Sequence, residues 1–173
     1  MTAFNFREEL GKGLGAAVIV AGSDSDKGHI DLLVTELGKY RLPYEVRICS
    51  AHKQLEDVSN LLKEYNVLGF PLVIVSVAGG TDALSGTLSY NSFFPVVSCP
   101  PEGLNESCLT NPHGSSNAYI LRPANVARYI AQTFSFINPE LRVMLNAEIT
   151  GKIEKLRAAD SKLRADYAAR QGE

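Results

Sequence analysis

The runs Ala16-Ala17-Val18-Ile19-Val20-Ala21 and Leu72-Val73-Ile74-Val75-Ser76-Val77 constrain this chain more than any other feature. Neither alternates apolar with polar residues, so a strand built from either must be covered on both faces. A parallel sheet between two layers of helix provides that cover. Tyr44 to Ile48 reads as a further strand, and Pro95 to Ser98 as a shorter fourth. Between them Ile30, Leu33, Val34 and Leu37, then Val58, Leu61, Leu62 and Tyr65, recur at helical spacing. Gly38 and Pro43 close the first of these patterns, and Gly69 and Pro71 the second. Strand and helix in alternation predict a three-layer α/β fold with a flavodoxin-like, Rossmann-like parallel sheet.

The spacing predicts another helix over 123–136, with Val126, Ile130 and Phe134 on one stripe. Asn138-Pro139 then opens a pattern that runs to about Arg170 through Leu141, Leu145, Ile149, Ile153, Leu156, Leu163 and Tyr167. Unless Gly151 interrupts it, this helix spans roughly 45 Å, more than the width of a small domain. Its projecting apolar stripe needs a partner, and a second copy of the chain is the simplest. One domain is expected over 1–173, with a core of about 16–136 and a helical extension of about 139–170; 45% apolar content suffices for one core of this size.

The formal net charge of −2, with both signs interspersed, offers no field for nucleic acid or an anionic membrane. No apolar run reaches membrane-spanning length, and MTAFNFREELGKG lacks a signal-peptide core, so a soluble, cytoplasmic protein is expected. Cys49, Cys99 and Cys108 are odd in number and lack CxxC spacing, which predicts spectator thiols rather than a disulfide framework or zinc site.

In an open α/β sheet, ligands bind beyond the carboxyl ends of the strands. Here those ends carry Gly22-Ser23-Asp24-Ser25-Asp26, Ser50-Ala51-His52-Lys53, Ala78-Gly79-Gly80-Thr81-Asp82-Ala83-Leu84-Ser85-Gly86 and Cys99-Pro100-Pro101-Glu102-Gly103. In the first loop Ser23 and Ser25 suit a phosphate beside helix N–H groups, or simply cap that helix. Asp26 suits ribose hydroxyls better than phosphate. Lys53 can meet a phosphate as a point charge with Ser50 as a hydrogen-bond donor. His52 is either structural or a general acid–base; His29 and His113 lie too far off in sequence to form a metal set with it. The glycines of the third loop permit close backbone approach, as a tight turn or as N–H donors to a carboxylate or carbon dioxide.

GSDSD at 22–26, SAHK at 50–53, AGGTDALSG at 78–86 and PVVSCPP at 95–101, in this order, resemble the phosphoribosylaminoimidazole carboxylase family of purine biosynthesis. The resemblance runs from about Ala16 through Phe136. Within that family, Lys53 stands where the N5-carboxyaminoimidazole ribonucleotide mutases have arginine, and Ala83 where they have a second histidine. SCPP after Val97 also resembles the direct, carbon-dioxide-using branch, which is therefore the expected one. Two departures bear on carbon dioxide handling: Gly80 replaces the arginine of the direct branch's AGRSN, and Asp82 adds a carboxylate. The later PSG motif becomes Pro112-His113-Gly114.

The resemblance implies carboxylation of 5-aminoimidazole ribonucleotide at C4 with carbon dioxide, with no cofactor, ATP or metal. It assigns His52 the proton transfer, Ser23, Ser25, Ser50 and Lys53 the phosphate, Asp26 the ribose, and Ala78, Gly79, Gly80 and Thr81 the carboxylate or carbon dioxide. It further implies a homo-oligomer, typically an octamer, with sites between subunits. The alternatives are the mutase, carboxylation of a pyridinium dinucleotide, and a non-catalytic flavin- or nucleotide-binding module.

Overall fold

The computed structural model describes residues 5–171; residues 1–4 and 172–173, the two ends of the expected domain, lie outside the described residues. Among the described residues there are five strands: β1 (Ala16–Ala21), β2 (Tyr44–Ile48), β3 (Leu72–Val77), β4 (Val96–Ser98) and β5 (Asn117–Tyr119). They form one sheet of order β2-β1-β3-β4-β5, parallel at every pairing. β1 and β3 are buried at every position, as their unbroken apolar runs require.

Helices cover both faces, giving the flavodoxin-like three-layer arrangement. On one face α1 (Phe6–Gly11), α3 (Leu55–Asn66) and α4 (Leu84–Asn91) bring Leu10, Leu61, Leu62, Tyr65 and Leu88 against Val18, Val20 and Ile74. On the other, α2 (Lys27–Lys39), α5 (Pro123–Phe134) and α6 (Pro139–Gln171) bring Leu33, Leu37, Ile130, Phe134 and Leu141 against Ala17, Ile19 and Val75. Each such large apolar side chain contributes about 1.5–3 kcal/mol by leaving water.

Several boundaries differ from the sequence reading. β5 and α1 were not foreseen, and α4 takes Leu84 to Gly86 out of the expected glycine-rich loop. α5 stops at Phe134 rather than 136, because the chain turns there to bring Ile137 and Asn138 N–H groups to the Phe134 carbonyl. α2 passes through Gly38 to Lys39, and the chain then reverses at Arg41 (φ 53°).

Gly151 does not interrupt α6, which is continuous over 33 residues. Its first turns belong to the body of the protein: Leu141 and Leu145 are buried in the α2/α5 face. Glu148 completes the attachment by accepting hydrogen bonds from Tyr40, Arg128 and Lys152. Burial opposes ionisation of Glu148, but the hydrogen bonds from Lys152 and Tyr40 and the charges of Arg128 and Lys152 outweigh it and hold its pKa at about 2. Beyond that point the same stripe continues through Ile149, Ile153, Leu156, Leu163 and Tyr167, all exposed.

Candidate active site

The four loops of the sequence reading converge because β1, β2, β3 and β4 run parallel and end at one edge. Between them lies a cavity of about 210 Å³. The β1 loop contributes Gly22, Ser23, Ser25 and Asp26, and the β2 loop Ser50, Ala51 and His52. The β3 loop and the start of α4 add Ala78, Gly79, Thr81, Ala83 and Leu84, and Glu102 comes from the turn after β4. Of the anticipated residues, Lys53 and Gly80 are not in its lining. Lys53 is exposed one residue beyond His52, and Gly80 is exposed at the rim. His113 lies in a different hollow, with Tyr90 and Asn111.

Each wall is fixed locally. Ser23 caps a short 3-10 turn, Asp24–Asp26, by accepting from the Ser25 N–H at 3.2 Å, and its hydroxyl lies 2.7 Å from that of Ser25. The capping role open to Ser23 is therefore realised, while both serines still line the cavity. Asp26 is half-buried, and its carboxyl is pushed up by burial and by the charge of Glu102, against the opposing pull of His29 and a hydrogen bond from Ser25. His29 stands behind this loop with Nε2 3.3 Å from Cys99 Sγ, and burial lowers its basicity.

The β2 loop closes on itself. Ser50 N–H donates to Gln54 Oε1 at 3.3 Å, and the Gln54 N–H donates to the Ser50 carbonyl at 2.8 Å. This turn presents His52 exposed at the cavity without using its imidazole as a strut.

Asp82 is not a new charge in the cavity. It is 6% exposed, and its Oδ1 accepts the N–H groups of Leu84 and Ser85 at 2.8 and 3.0 Å, capping α4. Its Oδ2 receives the Cys108 thiol at 3.0 Å. Replacing Asp82 with alanine orphans two helix N–H groups, and a loss of roughly 2 kcal/mol in unfolding free energy is expected by urea titration. An unchanged midpoint would contradict this capping role.

All three cysteines are buried and unpaired, and burial pushes the Cys99 thiol up to about 12. Burial, followed by the hydrogen bond to Asp82, does the same for Cys108. Among the described residues no cluster of three or more His, Cys, Asp or Glu could hold a metal ion, and no helix is long and apolar enough to cross a membrane.

Glu102 was missed as a site residue. It belonged to a loop known to face the right edge, but a lone carboxylate between prolines and a glycine reads as solvated surface. Of the apolar lining, Ala51, Ala83 and Leu84 lay within the motifs of the sequence reading, but only Ala83 was singled out, and none was read as a wall of the cavity.

Comparison with known proteins places these features in a wider group. The profile of the AIR carboxylase family matches residues 16–155. The chain is 34% identical to the phosphoribosylaminoimidazole carboxylase of Treponema denticola, over 85% of this chain and 96% of that one. It is 37% identical to the mouse bifunctional phosphoribosylaminoimidazole carboxylase/phosphoribosylaminoimidazole succinocarboxamide synthetase, of which it spans 36%. The crystal structure of Treponema denticola PurE superposes with a TM-score of 0.80 at 33% identity, covering 86% of this chain and 98% of that one.

Proposed function

The chain belongs to the AIR carboxylase family, and from that premise we propose that it carboxylates 5-aminoimidazole ribonucleotide at C4 with carbon dioxide. The observation that carries this reading is the cavity shared by His52, the Ser23–Asp26 loop and the glycine-rich β3 loop. The aminoimidazole ring is electron-rich, so C4 attacks carbon dioxide directly, forming one C–C bond and pushing an electron pair onto the new carboxylate. C4 then bears both that carboxylate and its original proton. The exposed imidazole of His52 accepts the proton, the C–H pair returns to the ring and aromaticity is restored; in reverse, His52 donates it. The step needs no ATP, metal or redox partner.

In this reading Ser23, Ser25 and Ser50 hold the 5′-phosphate, with Lys53 reaching in from the rim as a point charge. Asp26 takes the ribose, and Ala78, Gly79, Gly80 and Thr81 take the carboxylate or carbon dioxide. All of this lies in one domain over 1–173. The active form is a homo-oligomer, an octamer on the family pattern with sites between subunits, and the exposed stripe of α6 supports assembly.

Lys53, Ala83 and the Ser98-Cys99-Pro100-Pro101 sequence favour direct use of carbon dioxide. A second reading, the N5-carboxyaminoimidazole ribonucleotide mutase, draws support from size. The chain matches nearly the whole of a stand-alone bacterial PurE but about a third of a fused animal enzyme. Supplying aminoimidazole ribonucleotide with bicarbonate and no ATP separates the two. Formation of the C4-carboxylated ribonucleotide is expected, whereas turnover of the N5-carboxylated substrate alone would establish the mutase.

A further inference from the structure

The β3 loop borders the proposed site, with Ala78, Gly79 and Thr81 in the cavity lining and Gly80 outside it, and one of its backbone N–H groups is already engaged by a lining residue. Gly80 N–H donates to Glu102 Oε2 at 3.3 Å. Gly80 is anchored on its C-terminal side, which holds the turn that presents this donor: the residue sits at φ +60°, and its carbonyl, in the following peptide unit, accepts from Asn105 Nδ2 at 2.9 Å and Ser107 Oγ at 3.3 Å. Asn105 is in turn buried, with its own N–H donating to Tyr119 Oη at 2.7 Å. Gly79 leaves room for this contact: a Cβ there would lie 2.7 Å from Glu102 Oε1 and would push the carboxylate out of its present position.

Glu102 itself is loosely held. Its side chain is exposed, and Gly80 is its one hydrogen-bond donor among the described residues. Its turn ends at Gly103 in the left-handed region (φ +86°), outside regular secondary structure. A fixed donor thus faces a displaceable acceptor, and that acceptor has the same chemistry as a substrate carboxylate.

We infer that Glu102 is an internal competitor for the carboxylate subsite, occupying the Gly80 N–H and so setting how tightly the site holds a carboxylated ring. The ring part of this statement rests on the function proposed above; the competition for the N–H does not. Burial first, and the charge of Glu102 second, raise the Asp26 pKa; the two carboxylates together repel an incoming carboxylate, which must also replace Glu102 in its hydrogen bond. Glu102 is therefore a specificity-determining residue that selects against carboxylated ligands relative to uncarboxylated ones.

Two measurements on Glu102→Gln and Glu102→Ala test this. In protein labelled with [15N]glycine, formate is titrated while the Gly80 amide resonance is followed. The resonance is expected to respond at roughly tenfold lower formate in the variants, because a charged competitor is gone. An identical formate dependence in wild type and both variants overturns the inference. Separately, calorimetry compares 4-carboxy-5-aminoimidazole ribonucleotide with its uncarboxylated parent. The carboxylated nucleotide is expected to bind roughly tenfold tighter to Glu102→Gln, with the parent changed less than twofold. If formate behaves as expected but neither nucleotide binds wild type, the proposed function fails and the competition stands. If both nucleotides bind wild type and the variants leave their ratio unchanged, the selectivity fails and the proposed function stands.

Discussion

Replacing His52 with asparagine is expected to lower kcat for the proposed ring carboxylation by about 10²- to 10⁴-fold, the range associated with a general acid–base group. Asparagine is close to imidazole in size and can still form hydrogen bonds, but it cannot carry a proton at neutral pH. The loss therefore isolates proton transfer from C4. Among the described residues no hydrogen bond leans on the imidazole: the turn that presents it is closed by Ser50 and Gln54. The variant should keep its far-UV circular dichroism and melting temperature, and its nucleotide KM should stay within a few-fold. Turnover near that of wild type would remove His52 from the chemistry. A fall confined to KM would recast it as a binding residue.

Truncation after Lys152 is expected to dissolve the proposed homo-oligomer and to leave a folded protein. The first turns of α6 hold Leu141 and Leu145 in the core and Glu148 against Tyr40 and Arg128, and all are retained. What is lost is the exposed stripe of Ile153, Leu156, Leu163 and Tyr167. Fully buried against another copy, each such side chain contributes about 1.5–3 kcal/mol. Together these four reach the scale of the estimated 4–15 kcal/mol that association costs in lost freedom, so removing them tips the balance toward monomers. Light scattering on the truncated chain should show the smaller species, with a cooperative melt preserved. An oligomer of unchanged mass would show that the stripe is not the contact. Cutting at Pro139 instead would remove the core leucines and confuse unfolding with dissociation.

Where burial was two-sided, local sequence and final structure agree. β1 and β3 could be read because a strand covered on both faces leaves a continuous apolar run. β5 could not, since Asn117-Ala118-Tyr119 is three residues long, half-buried and too short to show a period. α4 was hidden for a different reason. Its sequence, Leu84-Ser85-Gly86-Thr87-Leu88-Ser89-Tyr90-Asn91, has weak helix propensity, and it is held by the Asp82 cap and by burial of Leu84 and Leu88.

The site divides the same way. Which loops meet follows from parallel topology, so Ser23, His52 and Gly79 fall together as expected. What each polar group does within a loop depends on contacts between loops. Asp82 caps the helix that follows it through the nearby Leu84 and Ser85 N–H groups, but its second oxygen meets Cys108, and Glu102 turns across to Gly80, because partners on other segments were waiting there. Neither of these longer contacts is written in local spacing.

The strand order also carries a timetable. β1, an early strand, becomes an inner one, so the sheet extends outward on both sides as later segments leave the ribosome. The Tyr40–Glu148 contact joins residues 108 apart and is among the last that synthesis permits. The helix that closes the protein's own face is thus the one that carries the exposed stripe proposed to meet another copy. On that proposal, completion of the monomer and recruitment of its neighbour are successive moments of one docking event, and a nascent chain short of Glu148 finishes neither.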